Sequence, residues 1–201
     1  GLLPASSIRA IAAVPGVAGV QSQVMLPLNP STSQFMTLTQ ELVLGLDLAV
    51  PMPNRHYREF PVRAGRFLTP GDRRVTVVGA SFAASHGLRV GGSLTLEGEP
   101  YRVVGVLDRM LTAPDRFVIV SIEDARVQWI AKDPLLRTAL ASGGMALQAS
   151  DLNTGAAVGW RDGEDPDAVA RRIAAQVPGL NVQIPSELSS LLRSSTAFFS
   201  A

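Results

Sequence analysis

Residues 75–121 limit what this chain can fold into more than any other stretch. Val75-Thr76-Val77-Val78 is a run of β-formers closed by Gly79. Residues 81–86 give about one and a half helical turns, and Gly87 comes next as a helix stop. Leu94-Thr95-Leu96 and residues 101–106 flank Glu97-Gly98-Glu99-Pro100, a hairpin signal. Phe117 to Val120 is a further short strand. Strands this short, joined by tight turns, specify a small β-rich unit on which the rest of the chain must layer. No catalytic constellation sits inside it, so function has to be read from architecture.

The flanking sequence supplies that layer. A helix is expected over 6–14, started by Ser6 or Ser7 and stopped by Pro15-Gly16. A strand comes after it, with Val20, Val24, Leu26 and Leu28 at even positions, and then a turn or loop at 29–33. Met36, Leu38, Leu42, Leu44, Leu46 and Leu48 keep one parity, while Thr37, Thr39, Glu41 and Asp47 hold the other. Period two predicts a strand with one buried and one wet face. Pro51-Met52-Pro53 ends it, because neither proline can donate to a ladder. Gly65-Arg66-Phe67-Leu68 is expected to pack on the strand at 75–78 and its neighbours.

Ser121-Ile122-Glu123-Asp124 reads as a capping box before a helix to about residue 131. A helix is expected over 134–140, inside an excursion at 131–153 with little other pattern. The pattern then clears. Residues 156–160 read as a strand, Asp165-Pro166 as a helix start, and Val169, Ile173 and Val177 as a buried stripe. Pro178-Gly179 stops that helix, and 180–184 is expected to be a last strand. Ile11-Ala12-Ala13-Val14-Pro15-Gly16-Val17 is echoed by Ile173-Ala174-Ala175-Gln176-Val177-Pro178-Gly179-Leu180. Two such helix–stop–strand units predict an α/β plait of the ferredoxin-like kind, with the middle of the chain inserted between them. The expected fold class is therefore α+β. A plait-like subdomain is built from 1–52 and 154–201, and a β-rich subdomain from 53–153. Ends that share one subdomain are expected to lie side by side.

Charge argues against several function classes. Eighteen Lys and Arg stand against seventeen Asp and Glu, a net +1, so nothing here attracts nucleic acid. There is no cysteine, hence no disulfide, thiolate metal site or Cys nucleophile. Mean hydropathy is +0.21, yet no run approaches the roughly 18–20 apolar residues of a membrane span. The chain begins at Gly1 and ends in Thr196-Ala197-Phe198-Phe199-Ser200-Ala201. It is expected to be a piece of something longer, with Phe198-Phe199 leading into a membrane span.

Chemistry has few places to hide. Gly79-Ala80-Ser81-Phe82-Ala83 sits at a strand-to-helix junction, as a nucleophile elbow would, but its fifth residue is Ala83. Ser81 with His86 or His56 is the one hydrolase reading; the simpler reading is that Ser81 caps its helix. His86 fits a helix end, where an imidazole meets the dipole. Asp162, Glu164, Asp165 and Asp167 cluster without the ligand order of a calcium loop, and suit a helix start. Trp129 and Trp160 are candidates for a binding surface or for a core. No catalytic, cofactor-binding or metal-ligating residue is assigned, and no cofactor is expected.

Gly87-Leu88-Arg89-Val90-Gly91, Tyr101-Arg102-Val103-Val104-Gly105-Val106 and Asp115-Arg116-Phe117-Val118 with Asp124-Ala125 occur in that order. Val14-Pro15-Gly16-Val17, Gly45-Leu46-Asp47 and Gly65-Arg66-Phe67 accompany them. This series resembles the extracytoplasmic core domain of MacB/FtsX/LolC-type ABC transporter permeases, with Gly92 where the family pattern has Asp. The resemblance implies a porter-type domain inserted between the first two membrane helices of a permease, on the periplasmic side of the inner membrane. It implies a cytosolic ABC ATPase and a second permease copy or paralogue as partners. A lipoprotein, peptide or antibiotic, or an envelope partner protein, would be handled outside the membrane. The domain would transmit motion and hydrolyse nothing. A free-standing peptide- or protein-binding module is the alternative.

Overall fold

The computed structural model describes residues 2–29, 40–52, 60–142 and 148–187. Its elements in order are α1 (Ala5–Ala12), β1 (Val17–Pro27), β2 (Leu42–Leu46), β3 (Val62–Gly65), β4 (Val75–Val78), α2 (Ala80–Ser85), β5 (Ser93–Leu96) and β6 (Glu99–Leu107). Then come β7 (Phe117–Ser121), α3 (Ile122–Lys132), α4 (Pro134–Ser142), β8 (Gly155–Trp160) and α5 (Pro166–Gln176). The chain is α+β, as expected. The strands form one mixed sheet in the order β3-β6-β4-β7-β2-β1-β8, with β5 also paired to β6. β2 and β7 run parallel, as do β4 and β6; the other pairings are antiparallel.

The two faces of this sheet differ. Register along β1 is regular beyond Gly19, so Val20, Val24 and Leu26 point to one side. Val20 lies in the cluster formed by Ile11 of α1 and Val169 and Ile173 of α5. Val24 and Leu26 lie in the cluster with Val43, Val118, Phe82 of α2 and Ala125 of α3. Helices α1, α5, α2 and α3 thus cover the same face, and α4 rests on α3 without burying a residue. The opposite face carries Leu44, Leu46, Val77 and Ile119, packed under Leu68 and the partly buried Phe60 and Phe67.

Several expectations are refined. β2 has no wet face: Val43 is 1% exposed and Gly45 is buried. It is an interior strand, and α3 lies on the side the alternation pattern left open. Met36 and Leu38, and most of the turn at 29–33, fall outside the described residues, as do Gly1 and Ala201 with the question of their proximity. Neither Ser6 nor Ser7 caps α1, whose N-cap is Pro4 with no side-chain bond. The hairpin turn is Glu97-Gly98, both at positive φ (46° and 81°), which brings Leu96 opposite Glu99. The capping box at α3 is half-formed. Ser121 Oγ accepts from the Asp124 amide, but the Asp124 carboxylate turns away to accept from the Arg74 amide.

The close approach of α3 to β2 generates a test. A Cβ at Gly45 would overlap the Ala125 methyl, whereas at Gly155 it would meet nothing. Gly45→Ala is expected to cost about 1–3 kcal/mol through overpacking. That is a fall in melting temperature of about 2–4 °C per kcal/mol. Gly155→Ala should melt close to the parent; thermal unfolding followed by circular dichroism checks both.

Candidate functional site

Because the helices gather on one face, the other face stays open over β1 and β8. An apolar groove of about 1240 Å³ lies there. It exceeds the roughly 300–1,000 Å³ of a typical small-ligand cleft. Its floor is the sheet, with Leu44, Leu46 and Gln23; Phe60 and Phe67 stand on one side and Val182 on the other. None of the described residues lining it carries an ionisable side chain.

The Phe67 wall is held in place by charge. The Arg66 guanidinium donates to both carboxylate oxygens of Asp72, at 2.7 and 3.0 Å, and the same carboxylate accepts from the Thr69 amide and hydroxyl. These bonds lower the Asp72 pKa from 3.8 to about 2, the Arg66 bond most of all. The Arg66 pKa is raised by the same contact. Gly65, at φ 77°, lets this loop leave the sheet against the Val104 carbonyl, where a Cβ would collide.

The far side of the groove is where the sheet ends. The expected last strand over 180–184 is not one. The segment is extended, with Leu180 and Val182 packed towards α5 and Asn181 and Gln183 exposed. Among the described residues no backbone hydrogen bond joins it to β8. β8 is therefore an edge strand, and its sequence, Gly-Ala-Ala-Val-Gly-Trp, has neither charge nor proline.

The residues singled out from sequence do not assemble a catalytic centre. Ser81 is the second residue of α2, whose N-cap is Gly79 without a side-chain bond, so Ser81 is no cap. Gly79 is required there because a Cβ would strike the backbone of Pro114 and Asp115. Five residues separate Ser81 from His86, which turns them about 140° apart around a helix axis. His86 Nε2 instead lies 2.9 Å from Glu41 Oε1, and its ring stacks on Phe82 at 4.2 Å. His56 lies outside the described residues. Asp165 caps α5 by accepting from the Asp167 amide, Asp167 accepts from the Ser186 amide, and Glu164 pairs with Arg172. Trp160 lines the groove, while Trp129 packs against the core under α3. The excursion at 131–153 is tied back by Arg126, which donates to Leu152 O, Ser150 O and Asn153 Oδ1. Burial of that guanidinium lowers its pKa.

A family model described as MacB-like periplasmic core domain matches residues 2–176. The chain belongs to that family. Two solved structures share the fold of this MacB-like domain. One is the periplasmic region of MacB from Actinobacillus actinomycetemcomitans, at TM-score 0.55 and 12% identity over 95% of this chain and 83% of that one. The other is the extracellular domain of the noncanonic ABC-type transporter YknZ from Gram-positive bacteria, at TM-score 0.51 and 15% identity over 88% and 82%. No curated protein sequence matches the chain. Membership makes this an extracytoplasmic core domain of the kind carried by ABC transporter permeases. Among the described residues no helix is long and apolar enough to cross a membrane.

In sequence, Gly65-Arg66-Phe67-Leu68 is legible as a packing segment but not as a wall of the groove. The uncharged composition of 155–160 and of 179–185 is the signal that could have found the groove's other side.

The clamp predicts a pH dependence. Asp72 has a folded pKa of about 2 against an ordinary 3.8. Its contribution to stability is complete above the ordinary value and is lost as pH falls through the folded one. The parent chain should lose stability on acidification from pH 4 to pH 2 more steeply than Asp72→Asn. Urea unfolding across that range measures the difference, and equal slopes would refute the clamp.

Proposed function

We propose that this MacB-like domain is the extracytoplasmic part of an ABC transporter permease, standing on the outer side of the inner membrane. There it binds a substrate or a partner protein and moves with the transmembrane stalk that a cytosolic ABC ATPase drives. The domain is a mechanical element without a catalytic role of its own. A second permease copy or paralogue completes the assembly.

The observation that carries this reading is the continuity of the sheet. β1 and β8 come from the two flanks of the chain, β4 and β6 from its middle, and the parallel β2–β7 ladder joins them. We assign 1–52 with 154–201 to the membrane-proximal unit and 53–153 to the unit borne beyond it. Displacement of the first then reaches the second through backbone hydrogen bonds and the α3 contact. The uncharged groove beside β8 supplies a surface for binding, and the Ser81, His86 geometry favours no hydrolytic step.

The absence of cysteine makes the motion measurable. Leu135 is 83% exposed and suits a single spin label after Leu135→Cys. In the full-length permease with its ATPase, the label-to-label distance between two copies should differ between the ATP-bound and nucleotide-free states. An unchanged distance would remove the mechanical reading. A fluorophosphonate probe is expected to leave Ser81 unlabelled.

A further inference from the structure

The open edge of β8 and the groove beside it invite an occupant, and their chemistry narrows what it is. An edge strand exposes a row of backbone amides and carbonyls, and proteins ordinarily guard such edges with charge, proline or a covering element. β8 has no charged residue and no proline, and its edge is laddered to nothing among the described residues. The segment 179–185 runs beside it without pairing, and both line the same cavity.

We propose that this edge takes up an extended, uncharged, apolar segment of a protein partner, added to the sheet as a strand next to β8. Its side chains enter the groove between Leu46 and Val182, and its backbone pairs with 155–159. This names the partner class for the binding half of the function proposed above, and rests on that reading.

Three observations favour a peptide over other occupants. An acyl chain would fit the apolar walls but would cover the β8 backbone groups without pairing them, and a buried polar group left unpaired is unfavourable. A strand pairs them and places alternate side chains in the groove. A charged peptide has no counter-charge to meet, since the described lining has no ionisable group. The amides of Gln23, Asn181 and Gln183 are the neutral polar groups beside the edge.

The test uses the 201-residue chain and an N-acetylated, C-amidated heptapeptide of alternating valine and threonine. Titration calorimetry and the emission of Trp160, in a Trp129→Phe background, should report binding one to one. Amide hydrogen exchange in 155–159 should slow when the peptide is added. Two changes are expected to weaken binding at least about tenfold, because each removes ladder bonds or leaves a buried charge unpaired. One is N-methylation of alternate peptide residues, which leaves the protein untouched. The other is Ala157→Asp, with its circular dichroism melt confirming a folded chain. Four results would overturn the proposal: no binding; equal binding of the N-methylated peptide; binding of a lauroyl probe in its place; or slow exchange of 155–159 in the free chain, from self-pairing with 180–184 or with a second copy. None of these would bear on nucleotide-dependent motion in the intact permease, so the two readings fail separately.

Discussion

The parallel pairing of β2 with β7 is the contact on which the rest of the structure depends. Residues 42–46 lie beside 117–121, and everything from β3 to β6 is formed by the crossover between them. Parallel strands cannot be joined by a tight turn, so their register must be fixed by packing. Here α3 does this. It starts directly after β7, crosses back over β2 and β1, and seats Ala125 on Gly45. Lys132, the sequence's one lysine, closes the far end. Its ammonium donates to the Pro27 and Leu28 carbonyls at 3.0 Å each and pairs with Glu97 at 3.3 Å. The end of α3 is thereby tied to β1 on one side and to the β5–β6 turn on the other.

Polar groups inside the sheet support the same join. Gln128 of α3 donates to the Tyr101 hydroxyl at 2.9 Å and to Leu96 O, which binds the helix to the hairpin. Burial raises the Tyr101 pKa, so the phenol stays neutral. Thr76, fully buried in β4, bonds the Ile119 carbonyl of β7. Among the described residues no buried side-chain donor or acceptor lacks a partner. A satisfied network of this kind is directional where apolar packing is not. It specifies which strand lies beside which.

Much of this was legible in the residues, and the parts that were not have definite reasons. Period-two alternation marked β2, and the stripe Val169, Ile173, Val177 marked α5, because one-sided burial leaves a periodic trace. The alternation of β2 nevertheless misread its second face. Val43 and Gly45 are covered by α3, a partner distant in sequence, and a glycine that admits a helix looks the same in sequence as one that makes a turn. Ser81 looked like a cap because its hydroxyl is the right chemistry, yet the close backbone of 114–115 fixed Gly79 as the N-cap. The segment 180–184 has the alternation of a strand and packs like one on its inner side. Alternation records which side chains are buried, not whether the backbone finds a ladder. The groove escaped notice because its lining comes from separated stretches, each ordinary alone.

The same asymmetry explains how an apolar groove can persist in a chain of balanced charge. With the helices confined to one face, the other is covered only where the 60–68 segment folds over it, and little regular structure of its own holds that segment down. Apolar contacts from Phe60, Phe67 and Leu68 are not directional and would let it slide. The Arg66–Asp72 clamp removes that freedom from behind, on the solvent side, where its charges stay hydrated and do not enter the lining. An ion pair at such a site adds little to stability by itself. Its bidentate geometry, with Thr69 closing the ring, fixes a loop conformation instead. The wall stays apolar towards the sheet because the charges that set its position face the water.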